Sequence, residues 1–281
     1  MLFHIRHSTL YTYSRPVALD PHTLRLRPRH DGSQALKHYT LEILPGPSGL
    51  TEFTDLEGNA ASQVWFADLT DKLRINLIAE VETLRENPFD FVLTDPGVMS
   101  LPVRYPASVR ASLTPYCQPV QRDGPVAWYA EEIARDAGND TLRFLMALAG
   151  DLYERTDMVV RKTGEPQAPE FTLKQGSGAG RDLAVLFIEA CRTLGLAARF
   201  ASGYWNGTAP DGQQYLHAWA EVYFPQVGWR GYDPSCGLAV ADQHVLVASG
   251  LYPGSAASIT GAFWGSDVHS TMTTTVSVHA P

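Results

Sequence analysis

Between Gly176 and Pro234 the hydrophobic pattern changes period once, and that change limits what this chain can fold into. Leu183, Leu186, Phe187, Ala190, Cys191 and Leu194 recur at i, i+3, i+4, i+7, i+8 and i+11, which is one apolar face of an α-helix. Gly195 supplies the stop, and position 180 is the expected start. Beyond the helix the period falls to two, predicting strands at 198–205, 216–224 and 229–233. In the middle strand His217, Trp219, Glu221 and Tyr223 share a face, opposite Ala218, Ala220, Val222 and Phe224. A one-faced helix followed by half-buried strands on short connections predicts a helix packed against an antiparallel sheet, an α+β fold.

The first ninety or so residues alternate in the same way. Phe3, Ile5, Thr9, Tyr11 and Tyr13 fall on one parity; Leu24, Leu26 and Pro28 alternate with Arg25, Arg27 and Arg29; Leu73, Ile75, Leu77, Ala79 and Val81 alternate with charged or polar neighbours. Gly58-Asn59 reads as a hairpin turn. An antiparallel, sandwich-like β domain is expected over 1–95, and the helix-bearing core over 96–281. A proline-rich stretch joins the two. Pro125 suits the first turn of a helix that ends before Gly138, and Asp140 suits the cap of the next. Residues 163–169 read as a loop beside the site, and 271–278 as a closing strand.

Composition excludes several classes. Apolar residues at 44% and charged ones at 19% describe a globular chain, not a disordered one. A formal net charge of -8 argues against nucleic acid or an anionic membrane as the main partner. The most apolar region, 183–200, is interrupted by Glu189, Arg192 and Arg199, so no spanning run is expected. Residues 1–7 lack the apolar core of a signal peptide, and Cys117, Cys191 and Cys236 are odd in number and scattered. A cytoplasmic location with reduced thiols is the expectation.

The chemistry-bearing residues lie around the helix. Gly176-Ser177-Gly178-Ala179-Gly180-Arg181-Asp182 leads into it, His217 follows on the second strand, and Asp233 on the third. Helix start, histidine, acid is the order of a thiol triad whose base is oriented by a carboxylate. A thiol at the helix start would face the positive end of the dipole, which favours thiolate. Gly180 stands there instead and offers no nucleophile.

These segments resemble the bacterial transglutaminase-like family, whose catalytic arrangement is that of papain-type proteases. The family's glycine-rich segment ends in Cys-Arg-Asp, its histidine strand reads His-Ala-Trp-x-Glu-Val-Tyr and its acid strand reads Gly-Trp-x-x-x-Asp-Pro. Arg181, Asp182, His217, Trp219, Glu221, Trp229, Asp233 and Pro234 match; Gly180 departs. Ser14-Arg15-Pro16-Val17, residues 24–29 and Asn87-Pro88-Phe89-Asp90-Phe91 resemble the family's N-terminal region. The resemblance implies a transglutaminase-like core, peptide or protein partners and no cofactor. It also implies thiolate attack on a glutamine or peptide carbonyl, with His217 as base then acid and Asp233 orienting it. With Gly180 the expected protein is a non-catalytic relative that keeps its cleft. The alternative is an active amidohydrolase, peptidase or transferase, using a relocated nucleophile or a cysteine encoded at 180 in the native gene.

Cys236, Cys191 and Ser177 are the other residues that could supply a nucleophile. If the turn spans 225–228, Phe224 faces Trp229 and His217 falls opposite Cys236, with Asp233 displaced; a bulge or another turn would bring Asp233 closer. That makes Cys236 the leading substitute, though a loop thiol is expected to titrate near its ordinary value. Cys191 belongs to the apolar helix face, and Ser177 lacks an activating base. Gly176-x-Gly178-x-Gly180 lacks the lysine of a phosphate loop. No metal site is expected from the histidines, since His4 and His7 have opposite parity and His22, His30 and His38 fall in or near loops. Arg25, Arg27 and Arg29 read as a solvated stripe or an acidic interdomain contact, and Trp205, Trp219, Trp229 and Trp264 as core or cleft wall.

Overall fold

The computed structural model describes residues 1–280. Six strands come first: β1 (Leu2–Leu19), β2 (His22–Leu24), β3 (Gln34–Leu44), β4 (Gly49–Thr54), β5 (Ala60–Trp65) and β6 (Thr70–Thr83). Helices α1 (Pro96–Met99), α2 (Ala107–Leu113), α3 (Pro125–Asp136) and α4 (Thr141–Arg155) follow. Then come β7 (Asp157–Met158), α5 (Pro169–Gln175), β8 (Ser177–Gly178) and α6 (Gly180–Thr193). The remaining strands are β9 (Ala198–Trp205), β10 (His217–Phe224), β11 (Gly228–Asp233), β12 (Leu238–Ala239), β13 (His244–Gly250), β14 (Ile259–Thr260), β15 (Phe263–Trp264) and β16 (Ser270–His279). The fold is α+β, with three antiparallel sheets and one short parallel pair, β7 with β8.

β15, β1, β6 and β3 form the first sheet in that order, and β16 also pairs with β1. A second sheet runs β14-β2-β5-β4. The alternation forecasts which side chains go inside: Phe3, Ile5, Leu73, Ile75, Leu77, Ala79 and Val81 are all buried. The closing strand forms where expected, but it lies along β1, from Tyr13 opposite Ser270 to His4 opposite His279. That pairing covers an edge of β1 that would otherwise present unpaired backbone groups. The end of the chain thus completes the N-terminal sheet, so sheet membership does not follow the sequence division at residue 95. The alternation at 24–29 also persists in burial, yet β2 stops at Leu24 and the rest is extended chain without ladder pairing.

The core sheet has the order β12-β11-β10-β9-β13. Leu186, Phe187, Ala190 and Cys191 of α6 pack with Ala220, Val222 and Phe224 of β10 in one buried cluster, and the Phe187 ring stacks on Tyr232 at 5.8 Å. Gly195, at φ 80°, ends the helix in the left-handed region that only glycine adopts freely. Asp140 caps α4 through Arg143 N–H at 2.9 Å. A separate buried cluster joins Phe3, Ile5, Leu77, Val81, Val276 and Val278 to Tyr204, Val245 and Val247, fastening the first sheet to the core sheet. Each such fully buried side chain contributes about 1.5–3 kcal/mol, so this contact is a structural joint.

Of the registers the alternation allows, β10 and β11 adopt the one with the shorter turn, which brings Asp233 closer to His217. Phe224 pairs with Gly228 and Tyr223 with Trp229, because the turn is three residues, 225–227. Gln226 at φ 65° and Gly228 at φ 83° permit that tight reversal. Continued to the strand ends, this register sets His217 against Ser235, not Cys236. Helices α1, α2 and α5 have no counterpart in the sequence reading; each is short and begins beside a proline.

Candidate active site

Gly180 is the first residue of α6, behind the N-cap Ala179. Alanine has no oxygen to cap with, so the first turn is fixed from the other direction. Asp182, fully buried, accepts Ala179 N–H at 2.8 Å and Gln167 N–H at 2.8 Å, and pairs with Arg161. Arg181 donates to the carbonyls of Arg161 and Thr163, both at 2.7 Å. The motif residues after position 180 therefore tie the 161–167 loop to the helix start. That loop lines the cleft, as the sequence led one to expect.

His217 opens β10 and Asp233 closes β11. The imidazole Nε2 lies 2.6 Å from Asp233 Oδ2, and His244 Nε2 lies 2.9 Å from the same oxygen. Oδ1 accepts Ser235 N–H at 2.9 Å and Ser235 Oγ–H at 2.6 Å. Burial alone would raise the Asp233 pKa. The neighbouring His217 charge and the two imidazole hydrogen bonds outweigh it and hold the carboxyl well below the usual range. Trp205 stacks on His217 at 5.1 Å between ring centres, fixing the ring plane. With Nε2 committed to the acid, the other edge of the ring is free to face the helix start.

It does face it. A Cβ placed on Gly180 would lie 3.8 Å from His217 Cε1, 3.7 Å from Met158 Cε and 3.9 Å from Ser235 Oγ, all ordinary contacts. The three residues singled out in the sequence, Gly180, His217 and Asp233, thus meet at one point. A cleft of about 450 Å³ opens over Gly180 and His217, walled by Trp205 and Phe200, by the 158–166 loop, and by His7 and Thr274 of the N-terminal sheet. His7 sits between Tyr204 Oη at 2.9 Å and Thr274 Oγ1 at 3.1 Å, and burial lowers its pKa to about 4, so it is a neutral part of that wall.

Cys236 is poorly suited to act as a thiolate nucleophile. Burial, then the charge and hydrogen bonding of Asp233, push its pKa well up, whereas an ordinary value was expected. Cys191 is fully buried in the α6 core. His217, Asp233 and Cys236 bring ligand-type atoms within 4.8 Å of one another, a spacing a metal could use. However, Asp233 already accepts four hydrogen bonds and the thiol is held protonated, so the arrangement suits a hydrogen-bonded histidine–carboxylate group better than a metal. Two site residues escaped the sequence reading. Ser235 follows Asp233 in the common Asx-turn pattern, which was a readable signal. His244 lies eleven residues on, in a strand whose pairing with β9 no local pattern reveals.

The arginine stripe is exposed only at Arg27. Arg25 pairs with Asp55 at 2.8 Å, Arg27 lies over the Tyr39 ring at 4.9 Å, and Arg29 turns inward. Among the tryptophans, Trp219 is core, Trp229 lies under Arg199 at 4.1 Å, and Trp264 is 70% exposed.

Residues 3–82 match the profile of the bacterial transglutaminase-like N-terminal region, and residues 128–234 match the transglutaminase-like superfamily. An uncharacterized protein of Mycobacterium tuberculosis is 26% identical over 263 residues, covering 88% of this chain and 83% of the relative. One from Mycobacterium leprae is 24% identical over 266 residues, covering 92% of each. Among solved structures, a proposed cysteine protease from Cytophaga hutchinsonii superposes with TM-score 0.71 at 20% identity, over 100% of this chain and 91% of that one, which is a likeness of fold. Two matched regions in the family's order, the α+β fold and the motif residues around His217 and Asp233 lead to one conclusion: the chain belongs to the transglutaminase-like superfamily and carries the bacterial N-terminal region of that family.

Proposed function

We propose that this chain, with glycine at 180, lacks the thiol chemistry of its family and uses the retained cleft to bind a peptide or protein segment. The observation that carries the reading is the pairing of an oriented, hydrogen-bonded His217 with a helix start that bears no side chain. In the ancestral reaction a thiolate at 180 adds to an amide carbonyl, forming a tetrahedral oxyanion. Collapse breaks the C–N bond, His217 protonates the departing amine, and a thioester remains. Water or a second amine then attacks the thioester, giving its proton to His217 as the thiolate leaves. Without a nucleophile the first bond cannot form. Removing a triad nucleophile leaves only the small rate supplied by binding and oxyanion stabilisation.

A second reading is favoured by the open space at position 180: a cysteine encoded there in the native gene would meet no clash and would face His217, giving an ordinary amidohydrolase or acyl transferase. One variant tests both. Gly180→Cys should label with iodoacetamide near neutral pH about a hundredfold faster than the native thiols, because helix dipole and imidazole both favour thiolate. Adding His217→Ala should remove most of that gain. The native chain should show no thiol-dependent release of ammonia from glutamine peptides. An introduced thiol that titrates like free cysteine in a folded variant would sink both readings, and turnover by the native chain would sink the first.

A further inference from the structure

A second cavity, of about 220 Å³, lies beside the cleft and shares no lining residue with it. Trp219 and His244 line it, and their rings stand 6.3 Å and 5.8 Å from the His217 ring. Arg29, Arg85 and Arg199 reach it from three segments. Arg199 is committed, with Nε 2.8 Å from Glu221 Oε2. Arg29 is not: Nη2 donates to uncharged acceptors, Glu57 O at 3.2 Å, Asn59 Oδ1 at 2.8 Å and Ser249 Oγ at 2.6 Å, and Nε is buried without a partner. Among the described residues neither Arg29 nor Arg85 has a carboxylate within salt-bridge distance. The cavity's own carboxylates are occupied, Glu221 by Arg199 and Asp31 by Ser33 N–H at 2.7 Å and Ser33 Oγ–H at 2.6 Å.

Buried polar atoms ordinarily find partners. Seven side-chain nitrogens or oxygens among the described residues are buried without one, and three of them, Arg29 Nε, Trp219 Nε1 and His244 Nδ1, belong to residues lining this cavity. Two guanidinium groups without a carboxylate partner and an unpartnered indole N–H around one polar space are complementary to a small oxyanion. We propose that the cavity binds such a group, a phosphate or a carboxylate, between Arg29 and Arg85, with Trp219 Nε1 as a neutral donor. His244 links it to the triad. Its Nε2 donates to Asp233, so an anion at Nδ1 favours the imidazolium, which would then bridge two negative groups. Occupancy therefore reaches the carboxylate that orients His217. The inference does not depend on whether position 180 carries chemistry.

The test uses the full chain, labelled with 15N-histidine and titrated with phosphate, sulfate or acetate at constant ionic strength, with chloride as the control anion. The expected result is a saturable shift of the His244 ring signals together with a rise in Tm. Phosphate outranking acetate would identify the source of the group, and the reverse order would point to a carboxylate ligand. Arg85→Ala removes a half-exposed residue with no structural partner and should weaken binding about tenfold or more. Trp219→Phe keeps an aromatic side chain but deletes the N–H donor together with one ring of the indole, and in a variant that retains its fold it should weaken binding less. Absence of a saturable response at tens of millimolar, or a response unchanged in both variants, overturns the proposal and leaves the cavity to water.

Discussion

Asp233, on one side of the His217 ring, is reached by no solvent and accepts hydrogen bonds from His217, from His244 and twice from Ser235. Gly180, on the other side, has no side chain, and open room remains where one would stand. The acid side of the site is over-determined, and the helix start facing it carries no side chain. The difference teaches that survival of the histidine–acid pair is weak evidence of catalysis. A buried carboxylate with two imidazole partners is a stability element, and breaking it is costly whether or not the site turns over. Position 180 supports nothing around it, so the fold does not depend on a side chain there.

The largest effect that could break this comparison is Asp233→Ala. It leaves two imidazoles and the Ser235 groups without their acceptor and should cost about 3–5 kcal/mol. The denaturant midpoint, at unchanged slope, measures it. A loss under about 1 kcal/mol would mean the acid side is not structural, and retention of the pair would then speak for function after all.

Acidification should act more gently. Burial lowers the His7 pKa from 6.5 to about 4, and burial lowers that of His244 against the pull of Asp233. Both take up protons more readily when unfolded. The stability they contribute is therefore complete above their ordinary value and is lost as pH falls, for His7 between 6.5 and about 4. The carboxyl of Asp233, held down in the folded state, adds stability present above its ordinary value and lost only at still lower pH. His7→Gln should flatten the loss between pH 6.5 and 4 by about 2–3 kcal/mol. Parallel curves for the two proteins would show that the N-terminal wall of the cleft takes no part in the pH response.

How much of this was legible in the sequence depends on how local each signal is. Helix α6 could be read almost to the residue, because Leu183, Leu186, Phe187, Ala190 and Cys191 fix its face and Gly195 its end. The meeting of Gly180, His217 and Asp233 was readable from motif order. The register was not, since a three-residue and a four-residue turn at 225–228 satisfy the same alternation, and only the left-handed Gln226 and Gly228 decide between them. His244 and the return of β16 to β1 depend on pairings across long sequence separations, for which no local pattern exists. Arg29 was misread for a related reason. Its strand parity pointed outward, but the segment after Leu24 leaves the ladder and turns the guanidinium toward Asn59 and Ser249.

The smallest predicted effect is the most discriminating about position 180. Glycine in a helix's first turn leaves conformational entropy in the unfolded chain that alanine would remove, and replacing it where the backbone allows stabilises by about 0.4–1 kcal/mol. Gly180 is not in the left-handed region, and its nearest neighbours stand 3.7 Å or more from the added methyl. Gly180→Ala should therefore raise the thermal midpoint slightly while leaving the chain as inert to iodoacetamide as before. The contrast with Asp233→Ala, opposite in sign and several times larger, is the signature of one supported wall and one dispensable side chain. If the alanine variant is instead destabilised, glycine is required there by close packing, and position 180 is a structural glycine and not a nucleophile site that has lost its sulfur.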